Sequence, residues 1–241
     1  INVQKKKLKG SKIKWIKNFN QIKRGPIIFF GNEFFDAIPI KQFTCEKNSL
    51  LEKCYVINPR TGLNEAYKAA SHEDVAKIKT FKVLKGLKFI EYPKLGLIEL
   101  DKIVKKINEQ TGGILLIDYG YLNIINKSTL QAVMKNKKIN MNSLFKNLGR
   151  ADITSLVNFR LLEEYFKKKE LKVKKIVSQK FFLEKMGIID RAKILEKNMN
   201  IKQLDYMYLT LKRLLHKDLM GDLFKVILGF KSKRRDFLGF E

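Results

Sequence analysis

At 241 residues with 45% apolar content, the chain is long enough for one α/β domain with a large core, taken as a single domain spanning residues 1–241. Fifty Lys and Arg against 24 Asp and Glu leave a net charge of +26, a balance that suits an anionic partner. The excess is mostly lysine scattered among Ile and Asn, which equally fits a compositional bias. With no arginine-rich run and no RNA-reading aromatic signature, no specific nucleic-acid partner is expected.

The opening Val3–Lys9 has the look of a helix end closed by Gly10, and Lys12–Ile16 alternates like a short strand. Gly25-Pro26 then introduces Ile27-Ile28-Phe29-Phe30, an apolar run bulky enough for burial on both faces, so residues 26–31 read as a central parallel strand. Its carboxyl end carries Asn32, Glu33 and Asp36. Ligands of open α/β sheets bind outside the carboxyl ends of the strands, which makes these three candidates for chemistry. The competing reading is that Glu33 and Asp36 only cap a following turn.

Pro39–Thr44 and Lys53–Asn58 cluster about the Lys47-Asn48-Ser49 turn as a hairpin insertion. Cys45 and Cys54, the only cysteines, lie symmetrically about Lys47–Glu52 and are candidates to face each other across it. Two cysteines without metal-ligand spacing indicate free thiols in a reducing compartment. Asn58–Gly62 reads as a turn and Tyr92–Leu97 as a further break. His72 and His216 stand alone as surface or packing residues, and no metal site is expected.

Ile98–Gln110 places apolar residues at helical spacing, and strand Ile114–Ile117 follows at once, the βαβ rhythm of a parallel sheet. This strand also ends in polar residues, Asp118-Tyr119-Gly120, so two strand ends are expected to converge on one crevice. Thr129–Lys135 is a short amphipathic piece, Asn136–Asn147 is polar and turn-rich, and residues 120–150 read as a long loop over the site. Asp152 is either a site residue or the cap of a helix in the apolar run Ile153–Leu162. Leu156–Lys168 reads as a helix, Val173–Val177 as a strand, Arg191–His216 as one or two helices and Leu223–Leu228 as a last strand, before the basic tail Lys231–Arg235. No apolar run reaches the 18 residues of a membrane span.

Several blocks in order carry a resemblance: Asn32-Glu33-Phe34-Phe35-Asp36-Ala37-Ile38-Pro39; Gly112–Tyr121; Thr129-Leu130-Gln131-Ala132; Gly149-Arg150-Ala151-Asp152-Ile153-Thr154 with Val157-Asn158-Phe159; Ser178-Gln179 with Phe182-Leu183; and Met220–Val226. The sequence resembles the MidA-like S-adenosylmethionine-dependent methyltransferases, a class I family whose mitochondrial members assist assembly of respiratory complex I. The resemblance implies an α/β, Rossmann-like methyltransferase sheet, S-adenosyl-L-methionine as cofactor, and methyl transfer to an arginine of a protein client, possible subunits of a respiratory complex included. It implies a cytoplasmic protein, or a mitochondrial matrix protein in a eukaryote. Within it, Glu33 and Asp36 are expected to be catalytic as a guanidinium clamp, Asn32 to touch the cofactor, and Asp118, Tyr119 and Asp152 to contact substrate.

The chain departs from the family at two places, with Asn136 after Gln-Ala instead of histidine, and Asn158 within Val-Asn-Phe instead of aspartate. The fourteen glycines form no Gly-x-Gly, and neither the cofactor loop nor the ribose-binding acid of the first two strands can be found. The chain therefore reads as a carboxyl-terminal portion, from the third strand onward. A non-catalytic binding module built on a degenerate methyltransferase fold is the alternative.

Overall fold

The computed structural model describes residues 2–10, 12–46, 49–58, 60, 62–134, 137–140, 143, 149–234 and 236–241. The Lys47-Asn48 turn, Pro59 and Thr61, Asn136 and most of the polar stretch 136–147 lie outside the described residues.

The main sheet is built on β1 (Ile27–Asn32) and β6 (Gly112–Tyr121), paired in parallel from Ile27 opposite Gly112 to Asn32 opposite Ile117. Gly112 has φ +118°, and a Cβ there would come within 1.8 Å of the Ile27 carbonyl oxygen, so only glycine lets the strands close at this point. β13 (Phe224–Lys231) lies antiparallel on the other side of β6 and carries β11 (Lys172–Val173) and β12 (Val177–Ser178). The strand expected over 173–177 is thus two short pieces, interrupted at residues 174–176. β10 (Val157–Asn158) adds in parallel at the end of β6.

One expectation for β1 is corrected. The strand is not buried on both faces: Ile27 and Phe29 turn inward, while Ile28 is 78% and Phe30 66% exposed. Among the described residues β1 is the sheet edge, with its outer backbone groups paired to no strand.

The inner face is covered by α3 (Lys94–Gln110) and α4 (Phe159–Lys168). α3 begins four residues earlier than its periodicity suggests, since Pro93 ends the preceding strand, Phe89–Tyr92, and takes the N-cap, where its missing N–H costs nothing. Its buried stripe of Leu97, Leu100, Val104 and Ile107 meets Ile114, Leu116 and Ile227 of the sheet, and Leu161, Leu162 and Phe166 of α4 complete the core. The opposite face holds a smaller cluster of Ile117, Phe182 and Val226.

Two antiparallel sheets flank this layer. In one, β2 (Lys41–Glu46) joins β3 (Ser49–Asn58), β4 (Gly62–Ala69) and β5 (Phe89–Tyr92) in the order β4-β3-β2-β5. The hairpin register sets Cys45 opposite Leu50 and Cys54 opposite Ala66, so the two thiols do not face each other; both are free. The other sheet, β7 (Gln131–Met134), β8 (Lys137–Ile139) and β9 (Asp152–Thr154), occupies the region read as a loop. Helix α1 (Asn2–Lys7) is present, but Lys12–Ile16 forms no strand, because its alternating residues find no partner strand among those described. Helix α2 (His72–Lys79) and strands β4 and β5 were not legible in the sequence pattern.

The remaining helices, α5 (Gln179–Lys185), α6 (Ile188–Glu196) and α7 (Ile201–Leu215), lie between β12 and β13. A capping box between Asn200 and Gln203 starts α7, and the π-type turn Lys217–Gly221 returns the chain to the sheet. His216 caps that turn, its Nδ1 accepting from the Asp218 N–H. No group of three His, Cys, Asp or Glu among the described residues is placed to hold a metal, and no described helix is long and apolar enough to cross a membrane.

Candidate active site

The carboxyl ends of β1 and β6 adjoin, and the loop after β1 folds over the end of β6. The turn starts at Glu33, whose φ of +48° is left-handed and disfavoured for a side chain with a Cβ. Its N–H donates to the Ile117 carbonyl at 3.1 Å, adding one rung to the ladder as the chain turns. The next three amides all point at one atom. Phe34, Phe35 and Asp36 donate to Asp118 Oδ2 at 3.2, 2.7 and 3.3 Å, and the Tyr119 N–H donates to Oδ1 at 2.9 Å. Asp118 is 2% exposed, and its carboxylate is the nucleus around which the loop is wound.

Electrostatics at this nucleus are unusual for a basic protein. Burial, reinforced by the negative charge of Asp36, pushes the Asp118 carboxyl up to about 6, against the opposing pull of its amide donors. Burial likewise raises Asp36, with Glu33 adding to the effect. No Lys or Arg among the described residues lies within ion-pairing distance of Glu33, Asp36 or Asp118.

Beside Asp36 opens a groove of about 450 Å³, floored by Ile38, Ile40, Leu130 and Ile153 and edged by Glu52 and Tyr55. The Asp36 carbonyl accepts from the Ser155 N–H at 3.0 Å, which ties the loop to the segment after β9. Behind it, Glu91 organises a polar network: it accepts from Gln42 Nε2 at 2.8 Å and from the N–H and hydroxyl of Thr129, and Thr129 Oγ1 accepts from the Leu156 N–H at 2.9 Å. Gln42 also donates to Ser128 Oγ at 2.7 Å. Sequence reasoning passed over Gln42, Glu91 and Thr129 as site-builders, although Thr129 belongs to one of the blocks that carried the resemblance.

The structure brings Glu33, Asp36 and Asp118 together at one end of the sheet and separates Asn32, Tyr119 and Asp152 from them. Side chains alternate along β6, so Tyr119 lies on the face opposite Asp118, where its ring packs 5.7 Å from that of Phe224. Asn32 is exposed on that second face, in line with Ile28 and Phe30. Asp152 is exposed at the start of β9, outside the residues lining the groove, and it caps no helix. The cap of α4 is Asn158, whose side chain accepts from the Leu161 N–H at 3.1 Å; the residue that departs from the family pattern thus has a defined structural task.

Residues 2–177 match a family model described as "Putative S-adenosyl-L-methionine-dependent methyltransferase". The protein arginine methyltransferase NDUFAF7 of Danio rerio mitochondria is 25% identical over 186 residues, 77% of this chain and 43% of its own length. The Xenopus tropicalis protein of the same name is 26% identical over 222 residues, 90% of this chain and 49% of its own. The chain thus spans about half the length of the curated relatives it matches. A COG1565 superfamily crystal structure from Burkholderia thailandensis superposes with a TM-score of 0.77 at 19% identity, covering 100% of this chain and 63% of that one. A second, from the same organism and bound to S-adenosyl-homocysteine, gives 0.74 at 20% identity over 95% and 59%. The mixed α/β fold is therefore theirs, with additional antiparallel sheets. Matched by a family model over well over half of its residues, the chain belongs to the S-adenosyl-L-methionine-dependent methyltransferase family that the model describes.

Proposed function

We propose that this chain supplies the acceptor side of a protein-arginine methyltransferase, with Glu33 and Asp36 as the clamp for the guanidinium. The observation that carries the reading is a carboxylate pair with no counter-ion among the described residues, at a strand end beside a groove, in a chain of net charge +26. Guanidinium presents a planar fork of donors that two carboxylates can hold in one orientation. Held so, one nitrogen is fixed in the direction of the methyl donor, and ground-state misalignment is removed from the barrier. Asp118 acts one step back, as a positioning residue: it accepts from the N–H groups of Phe34, Phe35 and Asp36 and so fixes the turn that carries the two acids, while the Glu33 N–H is held by the Ile117 carbonyl. The names of the mitochondrial relatives support arginine as the acceptor.

The residues present do not fit a whole S-adenosylmethionine. Asn32 stands exposed at the end of β1, and these 241 residues contain no Gly-x-Gly loop to cradle the charged end of the cofactor. No step is therefore assigned to the cofactor here; a complete site needs residues that this sequence does not contain. The same fact supports a second reading, a methyltransferase-fold module that docks a client without modifying it.

The test uses the chain completed with the amino-terminal portion of a family member. Glu33→Gln and Asp36→Asn keep size and remove charge, and each is expected to slow methylation of an arginine client by roughly 30- to 1000-fold, about 2–4 kcal/mol, with cofactor affinity little changed. Near wild-type rates in both folded variants would leave these carboxylates as turn formers. Calorimetric titration of the 241-residue chain with S-adenosylmethionine is expected to show no binding; micromolar binding would refute the argument from the missing loop.

A further inference from the structure

Between Ser178 and Phe224 the chain leaves the main sheet to build α5, α6 and α7. Both junctions lie level with the acidic loop, since Ser178 pairs with Lys225 and Lys225 with Asp118. The helical unit therefore joins the sheet at Ser178, two strand spacings, or about 10 Å, across from Asp118. Between α6 and α7 runs a groove of about 680 Å³ lined by Leu195, Met199, Tyr206, Met207, Leu211 and Leu214. On α7 these positions recur every three or four residues, forming one apolar stripe along a helix about 22 Å long at 1.5 Å per residue. α7 has no buried residue at all.

The charged residues that line the groove have one sign. Residues 179–217 contain nine Lys and Arg against four Asp and Glu. Arg191 of α6 and Lys202 of α7 line the groove itself, both exposed, and neither is in an ion pair with any described residue.

We infer that this groove receives an amphipathic helix of a partner protein, with an apolar face that enters between α6 and α7 and acidic flanks that meet Arg191 and Lys202. Apolar anchors at helical spacing are the recognition pattern of a helix laid in a groove. A second copy of this chain is disfavoured as occupant because basic flank would meet basic flank. The inference rests on the groove and its charges, independently of the arginine reading, and adds a docking surface remote from the clamp but on the same rim of the sheet.

The experiment is fluorescence anisotropy with the whole chain and two synthetic peptides of about 18 residues, or five helical turns. Both carry the same leucine stripe, one flanked by Glu and the other by Lys. The acidic peptide is expected to bind at least roughly tenfold more tightly at physiological ionic strength, and the double variant Arg191→Glu/Lys202→Glu to reverse the order. Met207→Ala with Leu211→Ala is expected to weaken the acidic peptide roughly tenfold or more while circular dichroism stays unchanged. Equal binding of the two peptides, or acidic-peptide binding untouched by the charge reversal, would overturn the inference. So would preferential binding to phosphatidylserine-containing vesicles over the acidic peptide, or a dimer in light scattering that Arg191→Glu/Lys202→Glu dissolves.

Discussion

Two buried aspartates, Asp74 in the first turn of α2 and Asp118 on β6, have opposite surroundings. Asp74, with a fully buried side chain, has the Lys41 ammonium at 2.7 Å and that of Lys94 at 3.0 Å. Asp118 is equally buried but is held only by backbone N–H groups, with Asp36 as its charged neighbour. Burial works against ionisation at both. At Asp74 the two lysines overcome it and hold the carboxyl down at about 2; at Asp118 it prevails and the carboxyl rises to about 6. A carboxylate given cations is a structural tie. One deprived of them, in a chain rich in them, leaves negative potential available to an incoming cation.

The sharpest way to break the contrast is to remove each acid. Asp118→Ala strands the buried N–H of Phe35 and loosens three further amides, so a stability loss on the order of 3–5 kcal/mol in chemical denaturation is expected. Asp118→Asn keeps one acceptor oxygen and should lose about 1 kcal/mol; equal losses in both variants would show that the oxygen does not anchor the loop. Asp74→Ala is expected to cost less than Asp118→Ala, about 2–3 kcal/mol, because Lys41 retains Glu52 at 3.0 Å and Lys94 retains Glu73 at 2.8 Å.

The pH dependences should run in opposite senses. Asp74 has a depressed carboxyl, so its contribution is present above the ordinary value of 3.8 and disappears as pH falls through about 2. Asp118 has a raised one, so its contribution is full below 3.8 and is lost as pH climbs through about 6. Denaturation at pH 4 and pH 7 should therefore show Asp118→Asn gaining on the wild type, by up to roughly 3 kcal/mol, as pH rises. Asp74→Asn should show no such gain over that window. Parallel curves for the two variants would mean that their environments do not differ as described.

What could be read beforehand follows from how local each signal is. The apolar runs at 27–30 and 114–117 identified the two parallel strands, and the polar residues after each marked the end of the sheet at which Glu33, Asp36 and Asp118 gather. β4, with the polar sequence Gly-Leu-Asn-Glu-Ala-Tyr-Lys-Ala, carries no such pattern and exists because β3 offers it eight paired positions. The cap Ser71 before His72-Glu73-Asp74 was a readable helix start that the apolar periodicity did not reveal. Glu33 and Asp36 were visible as acids at a strand end. That Asp118 would hold their loop could not be seen, since three of its four donors are amide groups more than eighty residues away, of a kind that every sequence possesses.

The outer rim of β1 has a consequence for how the chain behaves in a test tube. Six residues of strand make a ledge about 20 Å long on which another extended segment can lie, and Ile28 and Phe30 give it an adhesive flank. Between copies of this chain, mutual repulsion from a net charge of +26 opposes that contact. Added salt shortens the reach of the repulsion to about 8–10 Å while leaving the apolar attraction intact. Raising ionic strength, which dissolves most associations of basic proteins, should therefore drive this chain toward precipitation.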